Sequence, residues 1–150
     1  MLNSKSSGGK KFTDQQTRKL TDGEILFREG DLCREMYIVQ KGTLEIFKTV
    51  DGKKVVLATI ERGSMAGEMS LLESLPRSAS ARAVGDTTLL VFELGGFLLK
   101  IRRDPTFAFE LMKHLSSRIR QTNEKLMALV AAEQLSKNAV QELAETSYDY

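Results

Sequence analysis

The hydrophobic period of this 150-residue chain changes once, at Arg103-Asp104-Pro105. That change confines the fold to a set of short strands followed by a long helix. Upstream, apolar residues come in β-rich runs cut by turn signals. Glu24 to Arg28 stops at Glu29-Gly30-Asp31, and Met36 to Gln40 runs into Lys41-Gly42. Thr43 to Val50 alternates, with Leu44 and Ile46 on one face and Thr43, Glu45 and Phe47 on the other. Asp51-Gly52 is the strongest hairpin signal, because a type I′ turn needs positive φ at both central positions. The chain returns through Lys53 to Ile60, and two further strands fit Ser80–Val84 and Thr87–Glu93, split by Gly85-Asp86. Short antiparallel strands at this spacing predict a mainly β unit with some α, a small roll of the double-stranded β-helix or jelly-roll type.

Beyond the break, Pro105 suits a first helical turn. Met112, Leu115, Ile119, Leu126 and Leu129 then recur at spacings of three and four, with Thr122 in the same seam. Such a stripe is wider than a small roll can bury and predicts a homodimer through the C-terminal helix, the alternative being a monomer whose helix folds back. The expected organisation is a flexible N-terminal segment (1–19), the roll (20–104), C-terminal helices for lid and dimer (105–145) and a tail (146–150).

Composition narrows the function. A net charge of +2, with no basic stripe on any predicted helix, gives no footing on a nucleic-acid backbone. No apolar run reaches the roughly 20 residues that span a bilayer, and the Ser/Gly/Lys-rich start has no signal-peptide pattern. Cys33 is the only cysteine and His114 the only histidine, so no cysteine or histidine cluster can hold a metal. A cytoplasmic setting is expected, with no cofactor and no membrane contact. Neither a Ser-His-Asp set nor a paired-acid cleft is legible, so no enzymatic activity is expected.

The chemistry concentrates between the two strand groups, from Gly63 to Ala83. Gly67 permits close backbone approach, and Glu68 to Leu72 spans about one helical turn, whose unpaired N–H groups suit a phosphate. Pro76 ends the turn and Arg77 follows, a planar fork matched to two phosphate oxygens. Ser78 and Ala79 are small enough for their N–H groups to reach the same anion. Glu68 sits awkwardly near an anion unless a ribose separates them and donates its 2′-hydroxyl to the carboxylate.

The run Gly67-Glu68, short helix, Arg77-Ser78-Ala79 resembles the phosphate-binding cassette of the cyclic-nucleotide-binding domain family. Phe27 to Asp31, Met36 to Gly42 and the Asp51-Gly52 hairpin are similar to that family's roll strands in order, and Ser117 to Lys125 resembles the dimer helix of its bacterial activators. The resemblance implies a cyclic-nucleotide sensor acting by conformational change, with Gly67, Glu68, Met69, Arg77, Ser78 and Ala79 around the phosphate and ribose. By position it adds Ile46 and Leu57 as apolar contacts, Arg118 beside the glutamate and phosphate, and Thr122 and Asn123 near the base. Ser78 after the arginine, with Thr122, points to cyclic AMP, cyclic GMP remaining open. The chain ends too soon after the helix for the activators' helix-turn-helix, so the output is expected to pass through an unidentified protein partner, without direct DNA binding. The alternative is a dimerisation module of the same fold that binds no nucleotide; an intact Glu68 and Arg77 argue against it.

Overall fold

The computed structural model describes residues 16–146. Contacts divide the chain at Arg103/Asp104 into a sheet unit and a helical unit. The sheet unit runs β1 (Gln16–Leu20), β2 (Ile25–Phe27), β3 (Glu35–Val50), β4 (Lys53–Ile60), β5 (Met65–Ala66), α1 (Glu68–Glu73), β6 (Ser80–Glu93) and α2 (Leu94–Arg103). Its six strands pair antiparallel in the order β1-β6-β3-β4, with β2 on β6 and β5 on β3. This is the expected antiparallel roll, followed as expected by one long helix, α3 (Pro105–Thr146).

The hairpin forms where Asp51-Gly52 places it, with φ of 52° and 73° at the two central residues. Two other turn signals do something different. Lys41-Gly42 and Gly85-Asp86 do not end strands; β3 and β6 run through both. The reason is that the two signals lie opposite one another. Lys41 pairs with Thr88 and Thr43 with Val84, so the irregularity in one strand coincides with that in the other. Together they make a shared bulge at which the paired strands change course without parting. Gly42, at φ 85°, is required there, since a Cβ would collide with the Asp86 carbonyl and approach Thr87 Cα to 2.8 Å. Thr87, fully buried, closes the corner by donating its hydroxyl to the Thr43 carbonyl at 3.1 Å.

Three elements lie outside the sequence expectation. β1 draws residues 16–19 out of the flexible segment and pairs them with β6, whereas residues 1–15 lie outside the described residues. β5 is too short to carry a period, and α2 precedes the expected helical boundary. Downstream there is one continuous helix rather than several, extending to Thr146 in the expected tail; residues 147–150 are outside the described set.

The core lies between the strands. Leu20, Phe27, Tyr37, Val39, Leu44, Ile60, Ala66, Ala81, Ala83, Leu89 and Val91 form one buried cluster, with Leu26, Ile46 and Ala58 packed against it. Alanines at 81 and 83 face Ile46 and Leu44 in register, so small residues on β6 accommodate large ones on β3. In the helical unit, Asp104 starts α3 by accepting the Phe107 N–H at its side chain (3.3 Å) and carbonyl (3.0 Å). At 42 residues α3 is about 63 Å long. Met112, Ile119, Leu126, Leu129, Val140 and Leu143 are all exposed along it.

Candidate functional site

Gly67 sets the site. It caps the N-terminus of α1 in the left-handed region, φ 84° and ψ 4°, and no side chain caps that end. A Cβ here would stand 2.6 Å from Arg77 Nη1 and 2.8 Å from the Glu35 carbonyl oxygen. Only a glycine lets strand, helix start and guanidinium approach this closely.

Arg77 then enters the space that Gly67 leaves open. Nη1 donates to the Gly67 carbonyl at 3.1 Å and Nη2 to the Glu35 carbonyl at 2.7 Å. The main chain is also held: Arg77 N–H donates to the Asp31 carbonyl (3.0 Å), and its own carbonyl accepts from Gly30 N–H (2.8 Å). The turn after β2 is thereby fastened to the arginine. The residue is only 3% exposed, and its Nε, also buried, has no hydrogen-bond partner among the described residues. A buried charged donor without an acceptor is costly, so this N–H marks where an anion fits.

Glu68 opens α1 and is 1% exposed. It and Arg77 are the only buried charged residues among those described. A carboxylate acceptor and a guanidinium donor buried in one short cassette can hold a ligand with both a hydroxyl and an anionic group. Ala79 is buried and Ser78 exposed beside Arg77; Met69 is exposed on α1. Ile46 packs on the core, and Leu57 is exposed at the β4 bulge, where Ile46 pairs with Ala58 and Phe47 with Val56. The structure thus brings Gly67, Glu68 and Arg77 into one place. Arg118, half-buried, and Thr122 and Asn123, both exposed, are carried by α3 in the other unit.

Four residues behind Arg77 escaped the sequence reading. Its Cζ lies 4.3 Å from the Phe27 ring centroid and 5.6 Å from that of Tyr37, and the two rings stack at 6.0 Å. The Tyr37 hydroxyl donates to Glu35 Oε2 at 2.7 Å, and Arg18 Nη1 reaches the same carboxylate oxygen at 3.3 Å. Burial works to raise the Glu35 carboxyl, but the Tyr37 hydrogen bond and the Arg18 charge outweigh it and hold it below the ordinary value. Burial pushes the Tyr37 hydroxyl up, and the neighbouring carboxylate adds to this. The available signal was the two-residue spacing of Glu35 and Tyr37, which puts both on one face of a strand. Arg18 gives none, because Gln16–Leu20 has no apolar alternation to mark it as a strand.

A buried glutamate at the start of a glycine-opened helix and a buried arginine just past its end, set in an antiparallel roll, make an architecture suited to a nucleotide phosphate. Residues 17–104, more than half of the chain, match the cyclic nucleotide-binding domain, and the chain belongs to that family. It is 39% identical over 112 residues to the cyclic AMP receptor protein of Thermus thermophilus, covering 74% of this chain and 52% of that protein. The crystal structure of the Thermus thermophilus catabolite activator protein superposes with a TM-score of 0.69 at 39% identity, over 76% of this chain and 54% of that one. The regulatory domain of Toxoplasma gondii PKA, crystallised with cAMP, gives a TM-score of 0.53 at 33% identity, over 56% of this chain and 32% of that one. The chain therefore spans about half the length of the bacterial relative, or less in the kinase subunit.

Proposed function

We propose that the chain is a cyclic-nucleotide sensor in which Arg77 meets the cyclic phosphate and Glu68 the ribose 2′-hydroxyl. The observation that carries this reading is the buried Arg77 Nε–H, which lacks an acceptor among the described residues of a chain of this family. Gly67, Ser78 and Ala79 supply the small residues that an anion's approach requires. Cyclic AMP is the preferred ligand, with support from the relatives named for it or crystallised with it. The module is regulatory rather than catalytic, acts in the cytoplasm, and self-associates through α3, whose exposed apolar seam supports that reading. Its output passes to a partner protein rather than directly to DNA.

Calorimetric titration with cyclic AMP and cyclic GMP tests the assignment. One site per chain is expected, with cyclic AMP the tighter ligand. Arg77→Ala should cost about 2–5 kcal/mol, as for removal of one partner from a buried charged contact. Unchanged affinity in that variant places the phosphate elsewhere, and turnover of the nucleotide overturns the regulatory reading.

A further inference from the structure

Arg77 carries its charge into a buried place without a carboxylate within ion-pairing distance among the described residues. Two neutral carbonyls accept from its Nη atoms, and its Nε–H is left without an acceptor. The remaining compensation comes from the aromatic rings, chiefly Phe27 at 4.3 Å and then Tyr37 at 5.6 Å. A desolvated guanidinium gains most from such rings, because no water screens the attraction.

Tyr37 is itself held in place. Its hydroxyl is fixed by Glu35 and lies 3.4 Å from Arg18 Nη1, whose guanidinium carbon is 5.6 Å from the other aromatic contact, the Tyr37 ring. Glu35 therefore acts on both sides of the arrangement, with its carboxylate on Tyr37 and its carbonyl on Arg77.

We propose that Phe27 and Tyr37 are positioning residues, an aromatic seat that holds the Arg77 guanidinium with Nε–H free for the phosphate, and that Glu35 and Arg18 brace the seat. This rests on Arg77 being the phosphate ligand. A guanidinium seated beforehand loses no further rotamer freedom when the anion arrives, so the seat raises affinity without touching the nucleotide. An ammonium is therefore expected to be a poor substitute, since only a planar guanidinium lies against a ring while donating sideways to two carbonyls.

The test is a titration of the full chain with cyclic AMP for wild type, Phe27→Leu, Tyr37→Leu and Tyr37→Phe, with Phe27→Leu repeated in an Arg77→Lys background. Thermal unfolding establishes that each variant is folded. Phe27→Leu is expected to weaken binding about tenfold beside Arg77 and less than about twofold in the Arg77→Lys background, because a coupled pair loses its interaction once. Tyr37→Leu should also weaken binding, and Tyr37→Phe, which keeps the ring, should recover most of the loss. In the nucleotide-free protein, the Arg77 Nε–H resonance should be ring-current shifted in wild type and move towards the unstructured value in Phe27→Leu. Equal losses in both backgrounds, or wild-type affinity in both leucine variants, overturn the seat while leaving Arg77 as the ligand. Wild type that binds neither cyclic AMP nor cyclic GMP overturns the phosphate reading, and the positioning role with it.

Discussion

Glu35 holds Arg77 through its carbonyl and Tyr37 through its carboxylate. Glu35 is a carboxylate held below its ordinary value by Tyr37 and Arg18, against the opposing effect of burial. A depressed carboxyl contributes stability that is fully present above the unfolded value near 4.5 and is lost as pH falls through the lower folded value. Wild type should therefore be more stable than Glu35→Gln at neutral pH, and the gap should narrow as pH is lowered below about 4.5. Urea midpoints of the two proteins between pH 7 and pH 3 measure this, and a constant gap would mean that the ionised form of Glu35 does not brace Tyr37. The Arg18 guanidinium stays charged throughout that window, so Glu35 is the member of the pair that titrates.

Among the elements, the hairpin, the corner and α3 each follow from a different physical signal. Across the hairpin, Glu45 on β3 accepts from Lys54 Nζ on β4 at 2.6 Å and from Arg82 Nε on β6 at 3.1 Å, tying three strands on one face. Along α3, ion pairs such as Glu133–Lys137 at 3.1 Å support an exposed helix locally. They do not explain why Leu126 and Leu129 are 56% and 69% exposed on one seam. The proposed dimer would cover that seam with a copy of the same helix. Sedimentation equilibrium should report a dimer for wild type, and Leu126→Lys combined with Leu129→Lys should shift it to monomer. A wild-type monomer at micromolar concentration would remove the dimer from the proposed function.

At the scale of the molecule, the sheet unit contains the buried pair Glu68 and Arg77 together with the strands that carry them. Any ligand that binds only the folded form stabilises it by mass action, by about 2.7 kcal/mol at a hundredfold excess over its dissociation constant. For a chain of this size that corresponds to a rise of roughly 5–11 °C in the unfolding midpoint. Scanning calorimetry with saturating cyclic AMP should show the rise in wild type and its loss in Arg77→Ala at the same nucleotide concentration. An equal rise in both would place the nucleotide away from Arg77.

The sequence by itself determined the features whose causes are local. Positive φ at Asp51-Gly52, helix initiation at Pro105 and the order of Gly67, Glu68 and Arg77 depend on neighbouring residues, so they are legible in one dimension. Tertiary structure decided what depends on partners distant along the chain. Lys41-Gly42 reads as a turn until Gly85-Asp86 is found opposite it, 44 residues away, and the two become one bend in continuous strands. β1 carries no clear alternation and forms because β6 offers it an edge. Arg77 is legible as a candidate phosphate ligand from its surroundings in sequence. That Phe27, Tyr37, Glu35 and Arg18 gather behind it is not, because contacts across 19 to 50 residues are set by strand register and the packing of the core.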